Sequence, residues 1–252
     1  MPEYIYGHRG ARAILPENTM QAFQAALDGG ANALETDVHL TSDGHVVVFH
    51  DSTGERIADT AKSIAATTLQ EALTWDVGHQ HEDESGNRPF KHQGFKMPLL
   101  KDVLEQFPDT RINIDIKPGP QAVAAVVDVI QKYGTPANVL LTSFSDGVRT
   151  RLKEIDYKGP IGLGKNECIR ALLLPRIFLK GRWRAGTRIQ VPPAFGPFTL
   201  ASKRFISKAH AIGLMIDFWT IDDPVYAKAL VEMGADGIMS DNPAIIAKAL
   251  KS

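Results

Sequence analysis

A single cysteine, Cys168, in 252 residues excludes an intrachain disulfide and any cysteine-pair metal site, and it fits a reducing compartment. No run approaches the ~18 apolar residues of a membrane span. The opening MPEYIYGHRG lacks the apolar core of a secretory signal, so a cytoplasmic protein is expected. An excess of either charge is also missing. The 28 Lys and Arg nearly balance 29 Asp and Glu, so the chain has no global basic field to hold it on nucleic acid, and no nucleic-acid partner is expected.

What is present is enough apolar residue, 44% of the chain, for one large core. Short apolar or β-branched runs alternate with helical segments, the pattern of an α/β architecture. The runs fall at 4–7, 33–38, 46–50, 111–117, 139–144, 160–164, 187–191, 214–219 and 237–240. Between them AALDGGANALETD and ALVEMGADGIMSD read as two copies of one helix–glycine–strand unit, and such units repeated over this length build a (β/α)8 TIM barrel. The local punctuation agrees: Asn18 and Gln21 form a candidate capping box, Asp222 or Asp223 can cap the helix of the second unit, and Gly234 can end it.

Nine runs must fit eight places. Only Thr41 to His45 separate the second and third runs, far short of the dozen or so residues of a parallel crossover, which predicts a β-hairpin around Asp43-Gly44. In that hairpin position 50 lies opposite about 36. The chain is then one domain over 1–252, with a small insertion or polar excursion after the third run at about 52–97, most polar over 76–97.

In RINIDIKP the period of two sends Asn113, Asp115 and Lys117 to one face and Ile112, Ile114 and Ile116 to the other. The isoleucines suit the helix layer and the polar set suits the lumen near the mouth. The same parity pairs Glu35 with Asp37. Three such carboxylates repel one another and resist desolvation unless a cation lies between them, and an all-oxygen set suits Mg²⁺ or Ca²⁺ rather than Zn²⁺. His8 and Arg9 follow the first strand, where barrel enzymes place catalytic loops. The hairpin brings His50 beside Glu35 and Asp37. Two imidazoles flanking a metal describe an acid–base pair for cleaving a phosphate ester. Three carboxylates, a divalent ion, Arg9 and Lys117 leave one net positive charge, which one phosphodiester anion neutralises.

Taken in order, HRG, PENT at 16–19, E-x-D at 35–37, T-x-D-G at 41–44, HD at 50–51, I-x-I-K of the fourth strand, W-T at 219–220 and G-A-D-G-I-x-S-D at 234–241 resemble the glycerophosphodiester phosphodiesterase family along essentially the whole chain. The resemblance implies a TIM-barrel enzyme that hydrolyses glycerophosphodiesters, its small-molecule substrates, to glycerol 3-phosphate and an alcohol. It implies His8 and His50 as acid–base groups, Glu35, Asp37 and Asp115 as ligands to Mg²⁺ or Ca²⁺, Arg9 and Lys117 on phosphate oxygens, and Trp219 as an apolar wall near the glycerol. The family often has Glu where Asp115 stands, one methylene longer. Alternatives are a lysophospholipase D-like activity on a longer lipid and a non-catalytic phosphate-ester-binding barrel.

Other residues carry plainer expectations. Asn18 is expected to cap the first helix. Glu17 is a candidate to orient Arg9, and Gln190 to face the lumen. Asp217 shares a face with Trp219 and needs a partner if buried. His79, His81 and His92 are expected in a solvated loop. From Lys165 to Arg188, seven Lys or Arg face one acid, Glu167, among large apolar residues, a pattern expected for an outer barrel helix or an oligomer contact and compatible with membrane contact.

Overall fold

Strands that alternate apolar and polar residues need helices on one side and tolerate a polar lumen on the other. The computed structural model of the chain, which describes residues 1–83, 85–117, 119–184 and 186–251, satisfies both sides with a barrel. Its elements are β1 (Tyr4–His8), α1 (Met20–Asp28), β2 (Ala33–Leu40), β3 (Val46–Val48), α2 (Leu69–Ala72), α3 (Leu100–Gln106), β4 (Arg111–Ile116), α4 (Val123–Tyr133), β5 (Val139–Thr142), α5 (Asp146–Glu154), α6 (Lys165–Leu173), β6 (Arg188–Val191), β7 (Ala194–Phe195), β8 (Phe198–Thr199), α7 (Lys203–Ala211), β9 (Met215–Phe218), α8 (Pro224–Met233), β10 (Gly237–Ser240) and α9 (Pro243–Lys251). Among the described residues seven strands pair in parallel in the order β5-β4-β2-β1-β10-β9-β6.

The eighth place belongs to the run at 160–164, which is shorter than expected. Parallel bridges from Ile161 to Leu141 and from Gly162 to Arg188 close the ring between β5 and β6. Pro160 has no amide proton to offer a ladder. A Cβ on Gly162 would meet Thr142 Cγ2 at 2.8 Å, so the close approach to β5 needs glycine there. The hairpin holds as expected: β3 runs antiparallel to β2 with Val38 opposite Val48 and Leu40 opposite Val46, and Phe49 N–H continues the pairing onto Asp37 O at 2.9 Å. The small β7–β8 hairpin had no signal among the apolar runs.

Outside the barrel, Ile112, Ile114 and Ile116 pack with Val123, Val126 and Ile130 of α4 in one half of the core. Ile189, Ile216, Phe218 and Ile238 pack with Phe205, Ile206 and Leu230 in the other. The excursion is less polar than its sequence reads. Ile57, Ile64, Trp75, Val77, Phe95 and Met97 form a small core of their own on Val47 and Phe49 of the hairpin arm. No helix among the described residues is long and apolar enough to cross a membrane.

Candidate active site

The C-terminal ends of β1, β2 and β4 converge on one cavity of about 470 Å³, and all eight residues singled out from the sequence, His8, Arg9, Glu35, Asp37, His50, Asp115, Lys117 and Trp219, line it. Register explains the grouping: His8 pairs with Glu35, Glu35 with Asn113, and Asp37 with Asp115, so parallel neighbours carry the polar residues at one height.

The three carboxylates differ in their partners. Glu35 accepts the Arg9 backbone N–H at 3.0 Å. Asp37, 1% exposed, takes Asn18 Nδ2 at 3.0 Å and lies 3.3 Å from Arg9 Nε and 3.0 Å from Lys117 Nζ. Asp115 accepts Lys117 Nζ at 2.7 Å through Oδ2, while its Oδ1 is buried with no hydrogen-bond partner among the described residues. Burial, with the charge of Asp37 added, pushes the Glu35 carboxyl up to about 7, and burial also raises Asp115. Burial acts to lower the Lys117 ammonium, but Asp37 and Asp115 overcome it and raise it. An unpartnered buried carboxylate oxygen among mutually repelling acids is a donor set that fits a hard divalent cation.

Each histidine is oriented by a carboxylate. Asp241 Oδ1 lies 2.6 Å from His8 Nδ1, and His8 Nε2 lies 3.9 Å from Glu35 Oε2. Asp51 Oδ1 lies 2.7 Å from His50 Nδ1. A carboxylate only accepts, so Nδ1 is the donor in both rings and Nε2 is left for other partners. Burial holds the His50 imidazole below its ordinary range, with Asp37 and Asp51 pulling the other way.

A belt of charges joins the two histidines around the mouth. Arg12 Nε stands 3.7 Å from Asp241 Oδ2 and 3.6 Å from Glu17 Oε2. Glu17 also accepts Arg9 at 3.0 Å and Arg56 at 2.6 Å and 2.9 Å, and Arg56 Nε reaches Asp51 Oδ2 at 2.6 Å. Arg9 takes its place in a left-handed backbone conformation, φ 53°, that costs a non-glycine residue about 1–3 kcal/mol. The following Gly10, φ 82°, lets α1 come close: a Cβ there would meet the Ala22 carbonyl carbon at 2.6 Å.

Several expectations change. Thr19, not Asn18, caps α1, accepting the Ala22 N–H at 3.2 Å, and Asn18 is buried at φ 57° with its amide spent on Asp37 and Thr36. Its polarity marked it for a cap, but the turn faces it inward. Asp223 caps α8, while Asp222 accepts Ser240 Oγ and the Asp241 N–H and so fixes the strand end that carries Asp241. Asp217 finds its partner in Arg188. Gln190 does face the lumen, accepting Asn113 Nδ2 at 3.1 Å. His79 and His92 are not merely solvated, since their ring nitrogens and Asp76 lie within 4.8 Å of one another. His81 packs on Phe90 instead. Arg56 and Asp51 carry no helical or strand periodicity, and only the HD pair at 50–51 could have flagged Asp51. Asp241 closes the G-A-D-G-I-x-S-D stretch.

A model of the glycerophosphoryl diester phosphodiesterase family matches residues 8–245. A probable glycerophosphodiester phosphodiesterase 2 of Mycobacterium tuberculosis is 31% identical over 241 residues, spanning 93% of this chain and 85% of that protein. A lysophospholipase D of Rattus norvegicus is 26% identical over 270 residues, spanning 94% of this chain and 82% of that protein. A solved Oleispira antarctica phosphodiesterase, in complex with the product sn-glycerol-3-phosphate, shares the fold with a TM-score of 0.79 at 23% identity over 100% of this chain and 98% of that one.

Proposed function

This chain belongs to the glycerophosphoryl diester phosphodiesterase family, and from that premise we propose that it hydrolyses glycerophosphodiesters to sn-glycerol 3-phosphate and an alcohol with His8 and His50 as its acid–base pair. The observation that carries the reading is the pairing of each histidine Nδ1 with its own carboxylate at the rim of one cavity that also holds three acids and two cations. Glu35, Asp37 and Asp115 would hold Mg²⁺ or Ca²⁺, which when bound would supply Lewis-acid stabilisation of charge on the phosphoryl oxygens. Arg9 and Lys117 bind the phosphate oxygens. Their charges are held in place by Glu17 and by Asp37 with Asp115, so little reorganisation is needed when charge builds on the substrate.

One histidine Nε2 takes the proton of the attacking nucleophile, which is water or the glycerol 2-hydroxyl with water then opening the cyclic phosphate, and the other returns a proton to the leaving alcohol oxygen. Asp241 and Asp51 stabilise the protonated rings and fix their tautomers. Trp219, at the end of β9 with Phe144 edge-on at 6.2 Å, walls off the glycerol side. The test is release of glycerol 3-phosphate from a panel of glycerophosphodiesters after EDTA treatment and after Mg²⁺ or Ca²⁺ is restored. Metal-restorable release is expected, and its absence on every substrate overturns the reading.

A second reading has its own observation. Away from the acids the same cavity is lined by Ile169, Leu172, Pro192, Leu200 and Phe205, and Phe144 and Phe195 stand 67% and 51% exposed. Such a wall suits a long apolar alcohol, so lysophospholipids belong in the panel. Release from them slower than from water-soluble diesters at every concentration removes this reading and leaves the first intact.

A further inference from the structure

The excursion gathers a set of metal-ligating side chains, separate from the three acids of the mouth, that the hydrolysis does not use. We propose that Asp76, His79 and His92 form a zinc-class metal site that clips the excursion together. The residues come from both ends of an irregular loop: Asp76 follows the helical turn of α2, His79 lies three residues on, and His92 returns from the far side. Asp76 Oδ2 is 3.8 Å from His79 Nδ1 and 3.5 Å from His92 Nδ1, and all three ligand atoms lie within 4.8 Å of one another. Ligands at about 2.0–2.1 Å around a tetrahedral Zn²⁺ stand roughly 3.4 Å apart, so two of the three separations are within a few tenths of an ångström of what the ion needs.

Two further features favour an ion over a plain turn. His79 Nδ1 is buried and has no hydrogen-bond partner among the described residues, a cost that a metal bond removes. Asp76 is 7% exposed and already held in place: Oδ1 accepts the Gly78 N–H at 3.2 Å, Oδ2 accepts the His92 N–H at 2.7 Å, and its own N–H donates to Asp59 Oδ1 at 3.0 Å. Outer bonds of this kind orient a ligating carboxylate before the ion arrives.

The donor set selects the ion. Two imidazoles and one carboxylate suit Zn²⁺ and its first-row neighbours, whereas Mg²⁺ and Ca²⁺ prefer the all-oxygen set of the barrel mouth. The exposed His92 leaves a path for entry and a place for water as the fourth ligand. The effect is structural. Gln80, next to His79, donates its N–H to Ile57 O at 3.2 Å, and the neighbouring Arg56 bridges Glu17 and Asp51, so a clipped loop stiffens the support of the charge belt.

The test uses the full chain stripped with EDTA and titrated with Co²⁺ as a spectroscopic stand-in for Zn²⁺. One equivalent giving the visible bands of tetrahedral cobalt, displaced by Zn²⁺, is expected. His92→Asn tolerates the positive φ of that position yet removes the imidazole, and with His79→Gln it should weaken binding by at least the roughly 10–100-fold that loss of an outer partner costs. Glu35→Gln should leave the bands unchanged. Absence of tetrahedral bands in the wild-type protein, their survival in both histidine variants when circular dichroism shows these folded, or their loss in Glu35→Gln would each overturn the site.

Discussion

The barrel carries buried charge at both ends, and the two ends treat it differently. At the N-terminal floor Arg188, 1% exposed, gives Nε and NH2 to the two oxygens of Asp217 at 2.7 and 2.5 Å and NH1 to Glu3 at 2.8 Å, with the Tyr4 ring 5.0 Å from its guanidinium carbon. Gln190 and Tyr6 add donors to Asp217, and Gly237 makes room, since a Cβ there would meet Asp217 Oδ1 at 2.2 Å. At the mouth, Asp115 Oδ1 and Asn113 Oδ1 are buried without hydrogen-bond partners among the described residues. A buried ion pair whose donors and acceptors are all used is a strut. One with capacity to spare is prepared for something that arrives later.

The difference can be broken by mutation. If the mouth is chemistry, His50→Ala or His8→Ala should lower kcat by about 10²- to 10⁴-fold, the usual contribution of a general acid or base, with melting temperature nearly unchanged. Steady-state kinetics on metal-saturated protein checks it, and near-normal turnover by folded His50→Ala removes that ring from the mechanism. If the floor is a strut, Arg188→Met should show the reverse pattern. Leaving Asp217 buried and unpaired costs about 3–5 kcal/mol, which lowers the melting temperature by roughly 10 °C in a chain of this size. Turnover per folded molecule should stay within a few-fold, and adding Asp217→Leu should recover much of the stability. A large kcat loss with unchanged melting temperature would erase the distinction.

The mouth was largely legible because its residues obey strand parity. Glu35 with Asp37, and Asn113 with Asp115, fall on one face by period alone, and a five-residue turn leaves a hairpin as the only way to bring His50 back to them. The floor was half legible: parity put Asp217 in the lumen, but parity names a face and never a partner, and Arg188 comes from another strand 29 residues away. The belt was less legible still. Arg56 and the Asp76–His79–His92 convergence belong to a segment with no repeat, where only tertiary packing decides what meets. The run at 160–164 misled in the opposite way, because apolar residues announce a strand while Pro160 and the surrounding glycines shorten its ladder. Asn18 and Thr19 are both good caps by chemistry, and the backbone turn, not residue preference, chose between them.

The smallest expected effect sharpens the comparison, because Glu17 sits at the mouth yet is bonded like the floor. Burial pushes its carboxyl up, but the bonds from Arg56 and the charges of Arg9, Arg56 and Arg12 overcome it and hold it down to about 2. In the unfolded chain a glutamate titrates near about 4.3. A folded value below the unfolded one means the unfolded state binds more protons in acid, so the stabilisation is full above about pH 4.3 and fades as pH falls toward 2. Arg12 and Arg56 are 31% and 42% exposed at the side chain, so solvent screens part of their contribution. Denaturant unfolding at a series of pH values should show wild-type stability falling across that window, and Glu17→Gln should flatten this part of the slope while changing nothing in its shape near neutrality. Equal slopes in the two proteins would mean that the belt is only loosely tied in solution, and Glu17 would then belong with the open groups of the mouth rather than with the struts.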